Sequence, residues 1–126
     1  MIAADTLRRL ALAQPEAVDA SKGAQLVFEV AGKGFAWSFM QRVHPKRPRV
    51  PKPEVLAVRC ELPRKEMLIA ARPEVFFDDD HYRGFPAVLV RLAEADEAEL
   101  AVLLASAWWL VAPARLGGLA GRPGKG

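Results

Sequence analysis

The chain has 126 residues and 13.8 kDa, the size of one domain, and needs neither disulfide nor metal to bury a core of roughly two thirds of its unfolded surface. Hydrophobic residues at 52% and charged residues at 26% place it among ordinary soluble globular proteins. A single cysteine, Cys60, excludes an internal disulfide. The net charge of +3 is spread unevenly. Residues 1–73 hold 13 Lys/Arg against 7 Asp/Glu, whereas residues 74–99 hold only Arg83 and Arg91 against eight acids.

Residues 3–13 read as a helix with Leu7, Leu10 and Ala11 on one face, ended by Pro15. Asp5, Arg8 and Arg9 interrupt its apolar residues, so it lacks a signal-peptide core. Together with the lone thiol, read as buried and inert, this points to a cytoplasmic protein.

Leu26, Phe28 and Val30 alternate with Gln25, Val27 and Glu29 as in a half-buried strand. Gly32-Lys33-Gly34 supplies a hairpin turn, and the return strand puts Phe35, Trp37 and Phe39 on one face. That aromatic face reads as core under helices in preference to a ligand pocket. From Arg42 to Pro53 four prolines favour an extended surface loop, with a third strand only from Val55 to Glu61. Pro63 suits the first turn of a short helix ended by Pro73.

Val75-Phe76-Phe77 is a short extended piece, Asp78 to Gly84 a polar turn, and Phe85 to Leu92 an apolar strand. Asp96 is placed to cap a last helix, with Glu99 reaching back in a capping box. Leu100, Leu103, Leu104, Ala107, Trp108 and Val111 share one face of that helix, and Val102, Ala105 and Trp109 the other. Its back face is expected to be covered by a second element of the chain, or by another chain at Trp109. The apolar run Leu100 to Pro113 is too short to span a bilayer. Residues 1–116 thus read as one domain and residues 117–126, with five glycines, as a flexible tail.

Three runs carry a family resemblance: Pro73 to Phe77, His81 to Leu92, and Ala107 to Pro113. With the Gly32-Lys33-Gly34-Phe35-Ala36 hairpin and the basic loop leading into Glu54 to Arg59, they resemble the MmcQ/YjbR family over nearly all of residues 3–116. The resemblance implies a frataxin-like (CyaY-like) α+β fold, an antiparallel β-sheet with about three helices packed on one side. It also implies a DNA-binding protein with a double-wing arrangement. The acidic helix ridge tied to iron in frataxins has no counterpart in residues 3–13, where Asp5 is the sole acid.

Arg42, Lys46, Arg47, Arg49 and Lys52 give five positive charges before the first acid, Glu54. Laid along a phosphate backbone as a wing, with Lys33 assisting, five contacts would give a slope of about −4.5 in log K against log salt. The same loop also reads as a solvated connection, since no aromatic residue is interleaved to stack on bases. Asp78-Asp79-Asp80-His81 lacks the spacing of a cation loop and reads as a turn. No catalytic pair, metal set or cofactor motif can be assembled, and Ser38 reads as a strand residue. The expectation is a non-enzymatic, weakly DNA-binding protein. The alternative is a protein-interaction or small-ligand module, with Trp109 as an interface and weak self-association.

Overall fold

The computed structural model describes residues 2–120. In chain order the elements are α1 (Ala4–Leu12), β1 (Val18–Asp19), β2 (Val27–Val30), β3 (Lys33–Gln41), β4 (Val50–Arg59), α2 (Leu62–Ala71), β5 (Phe76–Phe77), β6 (Ala87–Arg91) and α3 (Glu97–Val111). A short 3-10 turn, Ala114–Leu116, follows. The six strands form one sheet in the order β1-β2-β3-β4-β6-β5, and every neighbouring pair is antiparallel. This is the α+β architecture that the sequence led us to expect.

The main core lies between one face of the sheet and the helices. Phe28, Val30, Ala36, Leu56, Val58, Val88, Val90 and Phe76 meet Leu7 and Ala11 of α1 and the apolar stripe of α3 there. All six expected residues of that stripe, Leu100 to Val111, are buried. Asp96 caps α3 by accepting the Glu99 amide at 3.0 Å. The reciprocal half of the capping box is not made, because the Glu99 carboxylate turns to the Arg72 guanidinium at 3.2 Å. Trp108 Nε1 donates to the Pro15 carbonyl at 2.9 Å, tying the exit of α1 to α3.

The structure corrects three local expectations. The turn between β2 and β3 is Ala31-Gly32, with φ of 50° and 78°, rather than Gly32-Lys33-Gly34. Two left-handed central residues match the right-handed twist of a two-residue hairpin. Lys33 and Gly34 already belong to β3. Next, Phe28 pairs with Ala36 and Glu29 with Gly34, which leaves Phe35 as an extra, bulged residue. The bulge breaks the alternation, so Phe35 and Ala36 both enter the core under the helices. Trp37 and Phe39 face the opposite side, against Val55, Ala57 and Leu89.

Third, β4 begins at Val50, so Pro51 and Pro53 lie inside a strand, not a loop. The β4–β6 ladder starts only at Val55↔Arg91. Before it β4 has β3 as its one neighbour, with Met40↔Pro51 and a bulge between Ser38 and Met40. An open side needs no amide donors, which is where strand prolines are tolerated. The β3–β4 hairpin therefore projects past the end of β6.

Residues 117–120, expected to open the flexible tail, fold back on α3: Leu119 N–H donates to the Trp109 carbonyl at 2.8 Å and Ala120 N–H to Ala112 at 3.0 Å. A Cβ on Gly118 would collide with the Ala112 backbone, so this close approach requires glycine. The rest of the expected tail, 121–126, lies outside the described residues.

Ala31 holds a conformation that costs an ordinary L-residue about 1 kcal/mol and that asparagine tolerates better. Ala31→Asn is therefore expected to raise the melting temperature by about 2–5 °C. An unchanged or lower midpoint in calorimetry would contradict the turn geometry.

Candidate nucleic-acid interface

The five cations expected to act together sit at the projecting end of the β3–β4 hairpin, but they differ in availability. Arg42 is turned inward, its Nη1 donating to the carbonyls of Arg47 at 2.9 Å and Pro45 at 3.3 Å. Arg49 donates to the Met40 carbonyl at 3.2 Å, and Lys52 lies 3.8 Å from Glu54. These three shape the tip. The side chains of Lys46 and Arg47 make no hydrogen bond or ion pair among the described residues and are exposed. Lys33 does not join them: it starts β3, whereas Gln41 ends it, roughly 25 Å away.

The acids of residues 74–99 do not form an open patch. Glu74 and Glu99 pair with Arg72, Asp80 with Arg83, and Glu97 with Arg9. Asp96 caps α3, Asp79 accepts the Tyr82 amide at 2.8 Å, and Asp78 lies 3.1 Å from Lys65 Nζ. The Asp78-Asp79-Asp80 run thus points to three different partners. Exposed pairs of this kind add little stability, but they cancel local charge, whereas Lys46 and Arg47 stay unpaired at the hairpin tip, as Lys22, Lys33 and Arg64 do elsewhere among the described residues.

Sequence reasoning missed Lys65. Its side chain is 2% exposed, and it is the one fully buried residue of α2. Its ammonium donates to the carbonyls of Tyr82 at 2.7 Å and Phe85 at 2.9 Å and pairs with Asp78, so all three protons are used. The spacing held a clue, since Lys65 precedes Leu68 and Ile69 by three and four residues on the stripe that packs on the core.

What Lys65 holds is the loop 78–86, which folds over the sheet face that the helices leave uncovered. The Tyr82 ring packs 5.8 Å from both Phe39 and Phe85, and its hydroxyl accepts from Trp37 Nε1 at 2.9 Å. Burial pushes the Tyr82 phenol above its ordinary value, against the pull of the Trp37 hydrogen bond, so it stays protonated at neutral pH. Trp37, His81, Tyr82 and Phe85 line an open cleft of about 190 Å³. The Arg59 guanidinium lies 5.4 Å from the Trp37 ring and 5.9 Å from that of Phe85, and Arg91 lies 4.0 Å from Phe77. The expectation of an aromatic core under the helices fails for Trp37 and Phe39, because the bulge at Phe35 reverses their side of the sheet.

A second, larger cleft of about 470 Å³ runs between α2 and α3, with Cys60, Arg64, Val102, Ser106 and Trp109 among its walls. Val102 is 60% and Trp109 41% exposed, so among the described residues no second element covers the back of α3. Cys60 itself is buried, and burial pushes its thiol up, which leaves it unreactive at neutral pH. Ser38, also buried, accepts the Leu26 amide at 2.8 Å, a structural role. Among the described residues no helix is long and apolar enough to cross a membrane, and no three His, Cys, Asp or Glu side chains are grouped to hold a metal ion.

An antiparallel sheet with its helices on one side and aromatic residues on the other defines an α+β protein of a known architecture. The YjbR family model matches residues 11–110, and the chain belongs to that family. It is 48% identical over 52 residues to uncharacterized proteins of Mycobacterium bovis and of two strains of Mycobacterium tuberculosis. That match covers 41% of this chain, and the chain spans 40% of the length of these curated relatives. The crystal structure of Deinococcus radiodurans protein DR2400, of domain family DUF419, is similar with a TM-score of 0.66 at 22% identity. The similarity covers 96% of this chain and 94% of that one, and it shows the shared fold.

Replacing Lys65 by methionine keeps the stem but takes the ammonium from two carbonyls and the Asp78 carboxylate, which then keep only the amides of Phe85, Ala87 and Asp79 as donors. Since each acceptor retains one donor and Asp78 is partly exposed, the expected loss is about 1–2 kcal/mol in urea unfolding. Trp37 should also become more open to acrylamide quenching. Wild-type stability in that variant would mean that the ammonium does not hold the loop.

Proposed function

We propose that the protein binds DNA through the tip of the β3–β4 hairpin, as a wing laid on the phosphate backbone, and that it works by binding rather than by catalysis. One observation carries this reading. Lys46 and Arg47 stand unpaired at the end of a hairpin that runs past the rest of the sheet, while the acids of residues 74–99 are mostly matched with cations or amides. Contacts of that kind position a protein on a duplex without reading its sequence. A cytoplasmic location belongs to the same reading.

Of the slope of about −4.5 that five equal contacts would give, the two cations without a partner account for about −1.8. Arg42 and Arg49 donate to neutral carbonyls and so keep their charge, and those carbonyls fix where their guanidinium groups sit. Reversing both charges (Lys46→Glu with Arg47→Glu) should therefore weaken binding to a mixed-sequence duplex at low salt and flatten the slope by about 1.8. Unchanged affinity and slope in fluorescence anisotropy would exclude this wing.

A second reading rests on the cleft between α2 and α3, whose volume of about 470 Å³ lies in the range of small-molecule sites. In this reading Trp109 packs against a small ligand or a second copy of the chain. Light scattering of the wild type against Trp109→Ala separates the two: self-association through Trp109 requires the wild type to exceed monomer mass and the variant to fall back to it.

A further inference from the structure

We infer that the helix-free face of the sheet is a stacking site for an unpaired nucleobase, so that the protein prefers single-stranded over duplex DNA. The inference rests on the nucleic-acid reading above and names the form of nucleic acid that this surface takes.

The aromatic residues that the basic hairpin lacks in sequence are brought to its root by the fold. Arg49 is anchored on the Met40 carbonyl, and its positive charge acts on the Tyr82 phenol. Phe39 and Tyr82 come next, 5.8 Å apart, then Trp37 and Phe85, and Arg59 lies over the last two rings. Arg59 thus stands over one end of a run of aromatic rings, and the Arg49 guanidinium is anchored on the carbonyl of the residue next to Phe39. Single-strand binders use this combination, with bases stacked on rings while the backbone tracks positive charge.

The cleft among Trp37, His81, Tyr82 and Phe85, about 190 Å³, holds one planar ring system rather than a drug-sized ligand. A paired base keeps its faces inside the helical stack and cannot enter, so the guest must be unpaired or flipped out. Phe85 is 41% exposed, and His81 is exposed as well, so a guest reaches the cleft without displacing core residues.

Four aromatic walls also suit a quaternary ammonium ion. The charges nearby argue against one. Arg59 already faces two of the four rings. Of the nearest acids, Asp80 and Asp78 are paired with Arg83 and Lys65, while Asp79, which accepts the Tyr82 amide, keeps its negative charge. A planar base that carries its own phosphate fits this field better than a cation does.

The test uses the full chain carrying Trp109→Phe, which leaves Trp37 as the partly exposed tryptophan beside the buried Trp108. Titration with a short oligodeoxythymidylate should quench Trp37 emission, and a blunt duplex should not. Adding His81→Ala and Phe85→Ala should weaken single-strand binding roughly tenfold or more, leaving duplex binding within about twofold. Thermal melting checks that the added variants fold, and the quenching arm needs neither of them. Absence of quenching would overturn the inference, as would equal losses on both nucleic acids or quenching by tetramethylammonium in place of the oligonucleotide. The Lys46→Glu, Arg47→Glu protein keeps the two readings apart. Duplex binding that survives there removes the wing, while Trp37 quenching by the single strand still decides the stacking site.

Discussion

A positive charge at the end of a buried lysine stem fixes the loop that covers the second face of the sheet. Lys65 enters the apolar side of α2, and its ammonium is held by two loop carbonyls and one carboxylate. An ammonium in such a place is tolerable only if every proton has an acceptor. That requirement works in both directions. The loop 78–86 must stay where its carbonyls meet Lys65, and the aromatic rings on the same loop must stay where the backbone puts them. Tyr82 is then pinned from the other side by Trp37. A stretch that would otherwise be a mobile polar connection becomes a cover for the second face of the sheet.

With that cover in place, the sheet has two faces of different character. One is sealed by helices and closely packed, with α3 contributing six buried side chains. The other is only partly covered and mixes aromatic rings with arginines, while the projecting hairpin extends it with unpaired charge. Bulges at Phe35 and near Phe39 increase the bend of β3. They also decide which side chains face which side, so the split between the helix-covered core and the second face turns on single-residue shifts of register.

The parts legible in the sequence were those whose cause is local. Asp96 caps α3 because a carboxylate can reach an amide three residues on, and the buried stripe of α3 follows from helical period alone. Pro63 and Pro73 bracket α2 for equally local reasons. Expectations went wrong where the cause was distant. The prolines at 51 and 53 argue against a strand only if both neighbours need amide donors, and β6 ends before it reaches them. The capping box at Glu99 was half right, because Arg72, 27 residues away, competes for the carboxylate. Lys65 carries no local sign of its partners, because its acceptor carbonyls lie 17 and 20 residues downstream.

The sequence by itself determined the element types, the main core face of α3, the family and the set of cations in the hairpin. Those follow from residue spacing and backbone preference, which act over a few positions. Only the tertiary structure decided that two of the five hairpin cations are free, that Lys33 lies at the far end of β3, and that the acids of residues 74–99 are mostly paired. It alone brought Trp37 together with Tyr82, which lies 45 residues further along the chain. The physical reason is the same in each case. Charge pairing, desolvation and ring packing depend on distance in space, and that distance exists only once the sheet has set its register.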